Sequence, residues 1–287
     1  MRQFLFVLLF LSGLAHAEPV TLTHMGQKTT VLETENQMLG KNLTEHGMQI
    51  NYTATGQCVD AAKEWNNAGT KPIIMPYSTN WARFESMTGK PCTANLDGAR
   101  IAMVRQARQW LCSGPKPKPF NTPGLKVAYH PTQPGNDWIP DVNKMNNWAW
   151  KPVPVSGTAD GLIALANGDI DYYLLVRTGV ANKVETGELK CQASTDRGDT
   201  IPYMNDVFRT SGDVHKTFTV MHVMLTKNLT EDQFQKVKAA LDPKTSPEWK
   251  KYLDFGGITV DKLSNNNQYT LDRFKEWSAE SVQFYKK

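Results

Sequence analysis

Short polar segments recur where an apolar, strand-like run gives way to a helical one. They are Gly26-Gln27-Lys28-Thr29-Thr30, Thr55-Gly56-Gln57, the stretch Tyr77, Ser78, Thr79, Asn80, Trp81, the stretch from His130, Pro131, Thr132 and Gln133 to Asn136, and Ser156-Gly157-Thr158. A turn of this kind exposes the free backbone N–H groups that open a helix, at the positive end of the helix dipole. Its chemistry is the holding of an oxyanion, such as a carboxylate, without a catalytic side chain. Any β-α-β unit needs a small polar turn, so no single one of these segments carries a function. Several of them, brought to one place, would.

Other chemistries leave no trace. There is no G-x-S-x-G nucleophile elbow, no H-E-x-x-H zinc motif, no phosphate-binding Walker run and no G-x-G-x-x-G dinucleotide fingerprint. His24, His46, His130, His215 and His222 are scattered, with no pair at metal-ligand spacing. The reading therefore includes no catalytic residue, no metal and no cofactor. The formal charge of +4 over 287 residues comes without basic blocks, which removes nucleic acid as an implied partner.

The elements that must position the turns read as α/β. Val20 to His24, Met48 to Tyr52 and Lys71 to Tyr77 are strand candidates, separated by helical stretches at Val31 to Glu45 and Cys58 to Asn66. That order implies a parallel sheet. Ile101 to Leu111 leans to strand at its start, and Ser86 to Ala99 reads as a loop or hairpin. Gly114 to Gly124, with its prolines, reads as a crossover.

A second series begins at Leu125 to Tyr129, followed by a helix around Ile139 to Asn147. Lys151 to Val155 and Ile170 to Val176 then flank a helix at Ala159 to Asn167, with Gly168 as its C-cap. Thr217 to Leu225 is extended. Thr230 caps a helix through Leu241, Pro247 to Phe255 is a short helix, and Gln268 to Tyr285 is a terminal one. Two α/β lobes with a cleft between them follow. The expected division is residues 18–115 and 222–287 for lobe one, and 116–221 for lobe two. Ligands of open α/β sheets lie beyond the carboxyl ends of the strands.

The first residues read as an export signal. Arg2 precedes an apolar run from Phe4 to Leu14, and Ala15-His16-Ala17 is an A-x-A cleavage pattern, so residues 1–17 are expected to be removed after Ala17. Cys58, Cys92, Cys112 and Cys191 are an even set in an exported chain, which suggests disulfides. Three connectivities are open. Cys92 with Cys112 closes the most local loop and is the favoured single pair.

Taken together, these residues resemble a known family. Val155-Ser156-Gly157-Thr158 followed by Gly168-Asp169-Ile170-Asp171, the stretch Val184 to Cys191 with Gly187 and Leu189, Arg197 with Pro202, Ser246 to Trp249, Gly256-Gly257 and Glu276-Trp277 are similar to the pattern of the extracytoplasmic solute receptors of tripartite tricarboxylate transporters. The resemblance implies a two-lobed periplasmic-binding-protein type II fold with a ligand cleft between the lobes. It implies capture of a small organic acid, a membrane permease as partner, a periplasmic location and a monomer. It places ligand contacts at Gly26, Gln27, Lys28, Thr29 and Thr30, at His130, Pro131, Thr132 and Gln133, and at Ser156, Gly157 and Thr158, with Asp171 closing the Gly-x-x-Asp run; the strand-to-helix reading adds Ser78 and Thr79, and Tyr77 and Trp81 either stack on a ligand or pack the lobe.

The first turn departs from the family pattern. It carries Lys28, and Thr30 stands near the position of the family's acid. The expectation is a less negative pocket, which favours a more anionic ligand or removes a preference for an ammonium group. Two readings compete with transport: an exported hydrolase or lyase using the same cleft, and a module that reports its ligand to a membrane receptor.

Overall fold

The computed structural model describes residues 18–25, 31–55, 57–129, 135–210, 220–256, 259–260 and 267–284. Each lobe is built on one sheet, and each sheet is covered on both faces. The first sheet has six strands: β1 (Val20–Met25), β2 (Ile50–Thr55), β3 (Ile73–Ser78), β4 (Arg100–Ala107), β10 (Val220–Lys227) and β11 (Thr259–Val260), in the order β11-β4-β10-β3-β1-β2. β1 is parallel to β2 and β3, and β10 runs antiparallel between β3 and β4. The second sheet has β5 (Gln109–Ser113), β6 (Lys126–Tyr129), β7 (Lys151–Pro154), β8 (Tyr172–Val176) and β9 (Lys190–Ser194), in the order β7-β6-β8-β5-β9. β6 is parallel to β7 and β8, and β5 is antiparallel to β8 and β9.

Near-continuous apolar strands explain the double cover. In lobe one, Ile73, Met75, Tyr77, Val104 and Val223 pack on one face with α2 (Cys58–Asn66), α3 (Thr79–Thr88) and the terminal helix. Leu22, Ile74, Met103 and Met224 pack on the other, with Leu39 and Leu43 of α1 (Val31–Glu45). Lobe two repeats this. Leu111, Val127 and Leu174 meet Trp138 and Val142 of α4 (Gly135–Asn146), while Trp110, Ala128 and Leu175 meet Leu165 of α5 (Thr158–Asn167). Strands buried on both faces belong to this class of α/β sheet.

Local signals account for several boundaries. α5 ends where Gly168 turns left-handed at φ 76°, a conformation glycine adopts without a Cβ penalty. Gly161 lets α5 lie directly on the Tyr173 ring, where a Cβ would collide with it. Helix α8 (Glu231–Leu241) opens on a capping box: Thr230 accepts from the Gln233 amide, and the Gln233 side chain accepts from the Thr230 amide. Short helices α6 (Ala181–Glu185) and α7 (Met204–Val207) complete lobe two, and α9 (Pro247–Gly256) and α10 (Asn267–Phe284) complete lobe one.

Two expectations are corrected, the first crossing and the disulfide pairing. The first crossing between lobes is not the proline-rich stretch at Gly114 to Gly124. The chain leaves the first sheet at Ala107 and enters the second at Gln109, so Gln109–Ser113 belongs to lobe two. Of the two readings of Ser86 to Ala99, the loop holds from Gly89 on, after α3 runs to Thr88.

The disulfides are Cys58–Cys92 and Cys112–Cys191. The expected Cys92–Cys112 bond would tie lobe one to lobe two. Instead Cys92 closes on the start of α2, and Cys112 closes across neighbouring strands β5 and β9. Each bond stays within one lobe.

Candidate functional site

The sheet topology determines which edges of the two lobes face each other. Ser78, at the carboxyl end of β3, pairs with His222 near the start of β10, and His222 pairs with Arg105 near the end of β4. Both passages between the lobes leave lobe one at this end: one directly after Ala107, the other directly before Val220. On lobe two, Gln109 opens β5 and pairs with Val176, the last residue of β8. The carboxyl ends of β6, β7, β8 and β9 therefore lie at the passages too. The strand ends of each lobe are turned toward the other lobe.

At the end of β7, the Val155 amide still donates to the Tyr129 carbonyl at 3.0 Å. The chain then turns through Ser156 and Gly157 into α5. Gly157 is its N-cap, with extended backbone and no side-chain cap bond, and Ser156 and Thr158 are exposed. The first amides of the helix have no carbonyl one turn earlier to bond. The Ser156 hydroxyl, however, donates to the Asp160 carboxylate in the first turn of the same helix. Asp160 was not foreseen as a participant. It sets a negative charge beside the dipole's positive end and occupies a hydroxyl that the sequence assigns to ligand.

Other predicted residues separate. Tyr77 and Trp81 pack edge to face at 4.9 Å inside lobe one, and Tyr77 lies 5.7 Å from Phe274. Both are buried, and the Tyr77 hydroxyl accepts from the Ala94 amide at 3.4 Å. Burial pushes its pKa up to about 12. They hold the lobe together, because β3 passes into α3 at Thr79 with no intervening turn to present them. Ser78 and Thr79 remain at the facing edge, both largely buried.

Asp171 stands at the far end of lobe two. It precedes β8, where its carboxylate accepts from the Lys126 amide at 2.8 Å and pairs with Lys118 at 2.6 Å. It ties the amino ends of β6 and β8 together and does not join the facing edge. The predicted turns Gly26 to Thr30 and His130 to Gln133 lie outside the described residues.

Sequence spacing missed a charged group at the lobe-one edge. Glu35, in the second turn of α1, pairs with Arg105 on β4, both deeply buried. The other Glu35 oxygen accepts from the Tyr252 hydroxyl of α9 at 2.9 Å. Burial works against the Arg105 charge, and Glu35 together with Tyr252 more than offsets it, so the guanidinium stays protonated. His222 lies beside it and keeps some contact with solvent. Shielding by the protein and then the Arg105 charge push its pKa down to about 3, so the imidazole is neutral. The available signal was a charged or polar residue inside an apolar strand, in I-A-M-V-R-Q and V-M-H-V-M-L.

A second polar group stands at the lobe-two edge. Asp199 accepts from the Trp110 indole at 2.6 Å and from the Ser194 hydroxyl at 3.0 Å, and it faces Arg177 at 3.5 Å. The Arg177 guanidinium lies 4.9 Å from the centre of the Trp110 ring. Next to the passage, Arg108 pairs with Asp196 at 2.6 Å. Gln109 is fully buried, and neither atom of its amide has a hydrogen-bond partner. The 3-10 turn Arg177–Gly179 touches α9 of lobe one, so the lobes meet here.

Among the described residues no cluster of His, Cys, Asp or Glu is arranged to hold a metal ion. No described helix is long and apolar enough to cross a membrane.

No protein-family model and no curated sequence matches the chain. Solved structures do. The periplasmic binding protein BugD superimposes with a TM-score of 0.71 at 14% identity, covering 94% of this chain and 97% of its own. MatC from Rhodopseudomonas palustris with bound malate gives 0.69 at 13% identity, over 94% and 99%. Rpa4515 of R. palustris with adipate gives 0.72 at 13% identity, over 95% and 97%. The fold is that of the periplasmic binding proteins.

Identities this low speak for the fold alone. The periplasmic-binding-protein fold is nonetheless matched over nearly the whole of both chains, so lobe two is an integral half and not an inserted domain. It accounts for two passages leaving one edge, and for facing strand ends on either side of them. A groove along β2, lined by Gln37, Lys41, Thr44 and Tyr52, lies on the outer edge of lobe one, away from those passages.

Proposed function

We propose that this chain is an extracytoplasmic solute receptor of the tripartite tricarboxylate transporter type, which encloses a small organic acid between its lobes and passes it to a membrane permease. The observation that carries the reading is the pair of opposed edges. The exposed Ser156–Thr158 turn of lobe two and the carboxyl end of β3 in lobe one both lie at the ends where the chain passes between the lobes. The structural likeness to binding proteins that hold malate and adipate supports a carboxylate as the ligand class.

In this reading Gly26 to Thr30 and Ser78 with Thr79 hold the ligand from lobe one. His130 to Gln133 and Ser156 to Thr158 hold it from lobe two. Lys28 adds a positive charge to the first of these turns. Closure is a hinge motion, and disulfides confined within each lobe leave the passages free to bend. Export through residues 1–17 places the receptor in the periplasm, where it works as a monomer without a cofactor.

The enzyme reading is weaker. A hydrolase needs a base that takes a proton near neutral pH. His222 shares a strand register with Ser78, but its pKa of about 3 makes it too weak a base for that role.

Native mass spectrometry of the exported protein tests the reading, followed by calorimetry with a panel of mono- and dicarboxylates. A retained acid that is released unchanged, and a saturable one-to-one isotherm, are the expected results. Turnover of the acid would move the assignment to the enzyme class. Small-angle scattering should show a smaller radius of gyration with the acid bound. Loss of acid uptake on deletion of the gene, restored by the wild-type chain, would establish delivery.

A further inference from the structure

We propose that the end of lobe two farthest from the passages is a docking face for an anionic phospholipid bilayer. The inference is independent of what the cleft holds.

Exposed lysines gather at this end. Lys126, Lys151 and Lys190 open β6, β7 and β9. β7 and β8 are parallel to β6, and β8 and β9 both run against β5, so these strands start at one end of the sheet. Lys126 and Lys151 are partners in register. β5 finishes at the same end, where Ser113 pairs with Lys190, and the chain leaves it through Pro115-Lys116-Pro117-Lys118-Pro119. The Tyr172 hydroxyl donates to the Lys118 carbonyl and holds this run against the start of β8.

Little negative charge answers them. Asp171 has one oxygen on Lys118 and the other on the Lys126 amide, and Glu188 pairs with Lys183, which leaves the exposed Asp169. Among the described residues, Lys116, Lys126, Lys151 and Lys190 form no ion pair. On lobe one, by contrast, Lys41, Lys236, Lys250 and Arg273 each pair with a carboxylate of their own helix. Unpaired like charges on neighbouring strands repel, and an anionic surface relieves that repulsion.

The same end presents apolar surface. α4 finishes here, and Met145 in its last turn is 42% exposed. Trp148 follows, half-buried, with its ring stacked on half-buried Phe120 at 6.4 Å. The Phe120 carbonyl accepts from the Trp150 indole at 2.7 Å, which fixes the proline-lysine run beside the start of β7. Lysines around an aromatic and thioether patch make a surface suited to the headgroup region of a bilayer: the rings and the Met145 side chain enter the interface, and the ammonium groups reach phosphates on flexible stems. Protein-binding surfaces are depleted of lysine, so lipid is the better match. The carboxyl strand ends lie at the opposite end of the sheet, so a docked chain keeps its cleft turned to solution.

Flotation of the mature chain with phosphatidylcholine vesicles, with and without phosphatidylglycerol, tests the face. At low salt the chain should partition at least about tenfold more strongly onto the anionic vesicles, and the preference should vanish near 1 M salt, where charges are screened within about 3 Å. Lys126→Gln with Lys151→Gln should weaken that partition at least about tenfold, each lysine near the surface contributing about fivefold. Lys63→Gln with Lys71→Gln removes the same charge from the exposed surface of lobe one and should weaken it no more than about twofold.

A second measurement reads contact directly. An environment-sensitive dye on Met145→Cys should shift to the blue with the anionic vesicles, and the same dye on Tyr52→Cys, at the outer edge of lobe one, should not. Equal partition onto both vesicles, equal losses in the two lysine pairs, or an unmoved dye at position 145 would overturn the docking face. Retention on immobilised polyglutamate without vesicle binding would overturn the lipid partner as well.

Discussion

The two facing edges are built differently. Lobe one presents charge that is already neutralised: Glu35 and Arg105 are buried, Tyr252 is half-buried beside them, and the geometry is fixed by three elements at once. Lobe two presents an exposed turn of small residues with Asp160 beside it, and Arg177, Asp199 and Asp196 stand nearer the passage. A buried, paired network supplies a rigid electrostatic wall. An exposed Ser-Gly-Thr turn supplies backbone donors that adapt. A receptor that closes on a ligand can use one wall as the template and the other as the clasp.

The largest effect should come from breaking the wall. Arg105→Met leaves Glu35 charged and buried, which should cost about 3–5 kcal/mol in urea unfolding, while Arg177→Met on the more open lobe-two edge should cost about 1 kcal/mol or less. The double variant Arg105→Met with Glu35→Gln should regain part of the loss. Equal costs at Arg105 and Arg177 would erase the contrast between the edges.

The disulfides sharpen it at the level of whole lobes. Cys112→Ser with Cys191→Ser opens a loop of 79 residues and Cys58→Ser with Cys92→Ser one of 34. Each pair should cost about 2–4 kcal/mol, the longer loop somewhat more. Since neither bond spans the passages, ligand affinity per folded molecule should hold in both.

Acid should act on lobe one. His222 is depressed to about 3 in the folded chain, whereas an unfolded histidine takes its proton near pH 6.5. The unfolded state therefore binds the extra proton. The stability His222 contributes is fully present above about pH 6.5 and falls as pH drops toward 3, by up to about 1.4 kcal/mol per pH unit. His222→Gln should flatten the slope of unfolding free energy between pH 6.5 and 4.5; an unchanged slope would place the acid response elsewhere.

The smallest effect should be a gain. Gln109→Met removes a buried amide that has no partner and keeps its length, so the melting midpoint should rise by the equivalent of about 1 kcal/mol. A fall would mean that the amide is bonded when the lobes move.

Much of this fold was legible from local pattern. The unit of β7, α5 and β8 follows from apolar strand runs around a helix whose end is marked by Gly168, and the α8 start follows from Thr230. Periodicity does not report which sheet a strand joins. Gln109–Ser113 therefore passed for lobe one, when its pairing with β8 and β9 makes it an inner strand of lobe two's sheet. The disulfides were hidden for the same reason: spacing favours the local loop, whereas strand neighbours bring Cys112 to Cys191.

At the site, the turn at Ser156 to Thr158 was visible because small polar residues mark it. The Glu35–Arg105–Tyr252 group was not, since its members are joined only by tertiary packing across the whole chain. For Tyr77 and Trp81 the sequence leaves stacking on a ligand and packing of the lobe equally open, and burial decides for packing.

The central claim, that the opposed edges close on a small carboxylate, is tested most directly by calorimetry of the mature wild-type chain with the acid that native mass spectrometry finds bound. The account predicts saturable binding of one acid per chain, with the acid recovered unchanged. No binding of any organic acid, or turnover of the acid in place of a saturable isotherm, would contradict it.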